Sequence, residues 1–170
     1  TACLPGMGLY AIYCQDRFNF ELSEAGVFTI ITVIFSGVAS YLAGRIGDNY
    51  GHKLSMVLAY AGHLIAAILA ISIWNMVGVY LIFIAIGIGQ GAFMPSAMNL
   101  IYDFSSYKDA KTYMALVDSI LAPFVLLYII LIGWLINVGN YKLSLQILII
   151  SLFIGILILL FIVEDPKKEN

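Results

Sequence analysis

Gly44-Arg45-Ile46-Gly47-Asp48-Asn49-Tyr50-Gly51-His52-Lys53 is a charged, glycine-rich stretch set between two long apolar runs. Ala25 to Gly44 carries no charge, and from Leu54 to Tyr102 the only titrating base is His63. Runs of ~20 apolar residues are long enough to cross a bilayer as helices. The stretch therefore reads as a short joint between two membrane helices, and it decides the fold class as all-α and integral to the membrane.

The rest of the chain agrees. Of 170 residues 62% are hydrophobic and only 11% charged, whereas a soluble domain carries about 25% charged residues. The net charge of -2, with no basic patch, argues against nucleic acid as a partner. Cys3 and Cys14 lie ~16 Å apart if their segment is helical, beyond disulfide reach, so both read as buried thiols. The start lacks the basic region and cleavage pattern of a signal peptide.

Polar breaks divide the remainder into spans: Ala25–Gly44 after a Ser23-Glu24 cap, Leu54–Ile73, Met76–Tyr102, Thr112–Ile136 interrupted only by Asp118, and Leu143–Val163. Trp74-Asn75 separates the second span from the third. Thr1–Cys14 would reach only ~21 Å as a helix, short of a ~30 Å hydrocarbon core. It reads as the tail of a helix cut off upstream, and the chain as a fragment.

Alternate connections carry Arg45 and Lys53, Lys108 and Lys111, then Lys167 and Lys168; the opposite ones carry Arg17 and Lys142. Cytoplasmic loops are the cation-rich ones, so this bias places the joint and the C-terminus in the cytoplasm. Trp74, Trp134 and Tyr141 then fall at the outer interface, and Tyr50, Tyr102 and Tyr107 at the inner one, as aromatic belts do.

Within the joint, Ser36, Ser40, Gly44 and Asp48 are spaced by four. On a helix they form one ridge, whose small members let a neighbour approach closely. Asp48 prolongs that ridge if the helix runs on, and its carboxylate suits the N-terminal end of a facing helix. Gly51 permits a sharp turn with positive φ. Arg45 and Lys53 can reach lipid phosphates or pair with Asp48. An ordinary cytoplasmic loop is the plainer alternative.

Gly44-x-x-x-Asp48-Asn49-Tyr50-Gly51-His52-Lys53 resembles the cytoplasmic signature of the major facilitator superfamily: a glycine, an acid four later, a glycine three beyond, then basic residues. Asn49 and His52 stand where basic residues are usual, a departure that fits the degenerate second copy of the motif. Gln15-Asp16-Arg17-Phe18-Asn19-Phe20 looks like the link between the seventh and eighth helices, Gly87-Ile88-Gly89-Gln90-Gly91 through Pro95 and Asp103 like the tenth, and Val163-Glu164-Asp165-Pro166-Lys167-Lys168 like the tail after the twelfth. The resemblance implies half of a 12-helix fold, with one truncated and five full helices over residues 1–163 and a cytoplasmic tail over 164–170. It implies a secondary transporter in the cell membrane, ion- or proton-coupled, moving a small-molecule substrate by alternating access. Its partners would be membrane lipids and the missing N-terminal half of the same polypeptide, with no cofactor and no metal. The first half of such a transporter, or a non-transporting receptor or assembly subunit, is the rival reading.

Candidate residues follow from depth and spacing. Gln90 lies near the midplane, and Tyr80, Gly87, Gln90 and Met94 share an arc of about 80° on a helical wheel, a stripe suited to an uncharged or amphipathic solute. Gln90 can equally bond a neighbouring helix. Asn99, Pro95 and Asp103 form a separate line towards the cytoplasm, suited to a gate. Pro95 leaves the Gly91 carbonyl without its helical partner, so with Gly87, Gly89 and Gly91 it marks a hinge, or else the glycines only permit close packing. Asp118 is an acid inside an apolar span, a site for gating or coupling, or a structural acid that water, Lys111 or the cytoplasmic loop satisfies, since it lies only ~9 Å from the inner end; Pro123 nearby leaves the Ser119 carbonyl unpaired. His63 reads as hydrogen-bonded within the bundle. No His-x-x-x-His, Gly-x-Ser-x-Gly or Cys-x-x-Cys pattern occurs, which argues against an enzyme.

Overall fold

The computed structural model describes residues 3–18, 20–72, 75–105 and 109–163. Asn19, Ile73, Trp74, Tyr107, Lys108 and the tail from Glu164, all named above, lie outside the described residues. Six helices follow one another: α1 (Cys3–Phe18), α2 (Leu22–Tyr50), α3 (His52–Ser72), α4 (Met76–Phe104), α5 (Ala110–Asn137) and α6 (Tyr141–Phe161). The last five are long and apolar enough to cross a membrane. A backbone that closes its hydrogen bonds within each segment is what hydrocarbon demands.

The spans start and stop for local reasons. The expected cap at Ser23-Glu24 lies two residues too late. Glu21 is the extended cap residue, and its N–H donates to the Glu24 carboxylate at 2.9 Å, the reciprocal arrangement of a capping box. Asn75 caps α4 through a 2.9 Å bond from the Gly78 N–H, and Asn140 caps α6 through Leu143 at 3.3 Å. Gly139, at φ +76°, ends α5, a conformation that costs glycine nothing. The first segment also runs further than expected, through Arg17 to Phe18.

α4 is the hub. It packs along α2 on one side and α3 on the other, with α6 behind α3. The core is built from Leu9, Tyr10 and Cys14 of α1, Phe28 of α2, Ala66, Ala67 and Ala70 of α3, Val79, Ile82, Ala85 and Ile86 of α4, Ile132 of α5, and Leu145, Leu148 and Leu152 of α6. Phe28 anchors one end of this layer, stacked on Phe83 at 4.8 Å and edge-on to Phe20 and Tyr80 at 5.2 Å. Such ring pairs contribute about 0.5–1.5 kcal/mol each beyond area.

Two cations tie helix ends together, one at each end of the bundle. The Arg17 guanidinium donates to the Tyr13 hydroxyl and, at 3.3 Å, to the Ala70 carbonyl in the last turn of α3. Lys53 Nζ donates to the carbonyls of Leu160 at 3.2 Å and Val163 at 2.6 Å, where α6 ends. Helix C-termini expose unpaired carbonyls and a negative dipole end, so both placements are favourable. The α2–α3 joint and the α6 terminus therefore share one end of the bundle.

Candidate functional site

The Gly44–Lys53 stretch is not a loop. α2 stays helical through Gly44, Arg45 and Asp48 to Tyr50, and α3 begins at His52. The whole reversal rests on Gly51, at φ 98° and ψ 145°, a region open to glycine almost alone. Its N–H donates to the Gly47 carbonyl at 3.0 Å. The His52 imidazole, buried at 8% exposure, folds over Gly47 so closely that any side chain there would overlap the ring. Ser55 Oγ, also buried, donates to the Ala43 carbonyl at 2.8 Å. The joint is thus a tight corner, stapled on its inner side.

Its outer side is open. Asp48 is exposed, and Arg45 lies with its guanidinium 5.8 Å from the Tyr41 ring centre. Along the ridge, Ser36 meets α4 closely, while at Gly44 no atom lies within 4 Å of where a side chain would begin. At Gly44, therefore, no other helix presses on the ridge.

α4 is uninterrupted through Pro95. Its glycines are spent on contacts. A methyl group on Gly87 would come within 2.6 Å of the Thr32 carbonyl, and one on Gly91 would overlap the Ser36 carbonyl. One on Gly89 would meet His63 at 2.8 Å, and one on Gly62 of α3 would meet Gly89 at 2.8 Å. Small residues at these points let backbones touch, which is how helices associate where lipid removes the hydrophobic drive.

His63 differs from expectation. It is buried at 1% exposure, and neither ring nitrogen has a hydrogen-bond partner among the described residues. Its backbone carbonyl accepts the Tyr10 hydroxyl at 3.1 Å, and the ring is held by packing on Gly89. The Gln90 amide oxygen is enclosed and likewise has no donor. Tyr80 is half-buried against Phe28. Asn99 and Pro95 are half-buried, and Asp103 is exposed in the last turns of α4. α5 also passes unbroken through Pro123, with Ser119 Oγ bonded to the Ala115 carbonyl at 2.7 Å.

A groove of about 610 Å³ runs between α4 and α5 and brings Met94 and Asp118 together. Tyr80 and Gln90 do not line it. Met98 and Met114 do, and sequence reasoning missed both; the spacing of four between Met94 and Met98 was the available signal. A second groove of about 610 Å³ lies over α2, α3 and α4 and is lined by apolar residues and glycine alone, among them Phe35, Leu58, Ile65 and Ile88. That lining suits lipid chains. Among the described residues of α5 only Ile132 and Leu135 are buried, so α5 and the outer face of α2 are the least covered parts of the bundle.

The family model described as Major Facilitator Superfamily matches residues 6–170. No curated protein and no solved structure matches the chain.

Proposed function

The chain belongs to the Major Facilitator Superfamily, and on that premise we propose that it forms the second six-helix half of a secondary transporter. Proteins of this family are transporters rather than enzymes, and a multi-pass membrane protein is what five apolar spans make. In the finer reading, residues 1–163 rock against another half of the same polypeptide and expose a small solute to each side in turn. The joint and the C-terminus lie in the cytoplasm, the host is the cell membrane, and an ion or proton gradient drives the cycle.

The α2–α3 corner carries this reading. It is closed inside, by Gly47, His52 and Ser55, and on the outside Asp48 is exposed one turn beyond Gly44, where no other helix packs. A carboxylate so placed is suited to engage a helix N-terminus of the other half in one state and release it in the other. The exposed faces of α2 and α5 supply the surface for that half. Tyr80, Gln90 and Met94 of α4 belong to the solute path, with Asn99 and Asp103 of α4 and Asp118 of α5 on its cytoplasmic side. Because packing occupies Gly87, Gly89 and Gly91, bending in this helix falls to the turn at Pro95.

The test is flux. Full-length protein in proteoliposomes, given a panel of neutral and cationic solutes with and without a proton gradient, should show saturable uptake of at least one solute that the gradient alters. Flux no greater than in protein-free vesicles across the panel would contradict the reading.

A further inference from the structure

Three of the chain's six methionines line a single space, the groove of about 610 Å³ between α4 and α5. Met94 and Met98 are one turn apart on α4, so they share a face with their β-carbons ~6 Å apart. Met114 enters from α5 across the groove. Met98 stands six residues before the end of α4, and Met114 four residues after the start of α5. That is ~9 Å and ~6 Å into consecutive helices, which brings the two to nearly one level. Met94 and Met98 are 47% and 49% exposed, so packing among the described residues does not consume them.

The rest of the lining is apolar except Asp118 and includes no cysteine or histidine. Cys14 and His63 are buried elsewhere, at 0% and 1% exposure. Among the described residues no three of His, Cys, Asp and Glu gather into a metal-holding group. A thioether is neutral and polarizable. It offers little to a hard ion, which takes oxygen ligands, and it selects soft ions, copper(I) above all. It carries no proton, so it binds without displacing one, unlike a thiolate. Neutral ligands in an apolar groove favour a single charge on the ion, because each further charge costs more to bring out of water. The three rotatable bonds of methionine let sulfurs from two helices converge.

We propose that Met94, Met98 and Met114 form a three-thioether site for a soft monovalent metal ion, copper(I) or silver(I). The site adds a metal to a chain whose family resemblance implies none. It goes beyond the transport reading and stands or falls without it.

The probe is silver(I) nitrate in chloride-free buffer, since silver(I) keeps its oxidation state in air. Full-length protein with isotopically labelled methionine methyl groups is titrated in detergent micelles and followed by NMR, each signal assigned by its loss in the corresponding leucine variant. The methyl signals of Met94, Met98 and Met114 should shift and saturate together, while those of Met56 and Met76 stay in place. Zinc(II) should move none of the three. Thiols that take up silver elsewhere leave these methyl groups unmoved, so the readout is specific to thioethers. Met98→Leu nearly conserves volume, so the thermal midpoint should hold while affinity, read from the Met94 signal, falls about tenfold or more, at least the cost of losing an outer-shell partner. Met76→Leu, outside the groove, should leave it unchanged. Stationary signals at saturating silver, equal shifts with zinc, or undiminished affinity in Met98→Leu would each overturn the proposal; in the last case, loss in Asp118→Asn would assign the ion to the carboxylate. Helices of the other half closing the groove would leave the signals stationary. The titration needs no turnover, so binding in micelles and flux in vesicles are decided separately.

Discussion

The two sides of α4 are built on opposite plans. Towards α2 and α3 it presents Gly87, Gly91 and Gly89, and backbone meets backbone so closely that a methyl group has no room. Towards α5 it presents Phe93, Met94 and Met98, and a groove of about 610 Å³ is left between the helices. Glycine contacts are unforgiving and set one distance between helices, so the α2–α4–α3 layer behaves as a single slab. Methionine contacts are adjustable. The difference puts tight packing on one side of α4 and room on the other, which is the division that the proposed rocking half would use.

Crowding the slab should have the largest effect. Gly91→Ala drives a methyl group into the Ser36 carbonyl, a backbone atom that cannot rotate away. Overpacking of this kind costs about 1–3 kcal/mol, and the variant should lose thermal stability and part of its monodisperse peak in size-exclusion chromatography. Gly133→Ala on α5, where nothing lies within 4 Å, should change stability by no more than about 0.5 kcal/mol. Equal behaviour of the two variants would erase the distinction between packed and open sides.

A smaller effect sharpens it. Lys53 ties the corner of the slab to the end of α6 through two carbonyls. Lys53→Met keeps most of the apolar stem and removes the cation, at a cost of about 1 kcal/mol for a half-buried charge at a helix end. The thermal midpoint should fall by a few degrees, and hydrogen exchange should rise in the last turn of α6 before anywhere else. Unchanged exchange there would mean that the lysine serves topology alone.

The spans were legible because apolar length and polar breaks are local properties, and Gly51 was legible because a reversal so tight requires a glycine. The reading of Gly44–Lys53 as a turn erred in extent. Nothing in Arg45-Ile46-Gly47-Asp48 forbids a helix, so α2 runs on until the one residue whose φ must be positive. The cap was misplaced because Ser23 is the better capping residue by type, whereas Glu21 has the right spacing to Glu24. The pocket around Asp118 was only half legible. A helical wheel gives the face on which Met94 and Gln90 lie, but not which neighbour covers it. α5 supplies Met114 and Asp118 from across an interface that no local pattern encodes. The tie from Lys53 to Leu160 spans 107 positions, and His63 without ring partners is likewise a tertiary fact.

On the proposed function, the open side of α4 faces a path reached from each side of the membrane in turn, and Asp48 at the corner controls which. Met94 lies about ten residues from the C-terminal end of α4, ~15 Å along the axis, and it is 47% exposed and lines the groove. A cysteine at Met94 in full-length protein, in proteoliposomes of known orientation, can be challenged with a membrane-impermeant maleimide from each side separately. The account predicts labelling from both sides, with Asp48→Ala shifting the ratio between them at unchanged protein insertion. Labelling from one side only, or a ratio indifferent to Asp48→Ala, would contradict it.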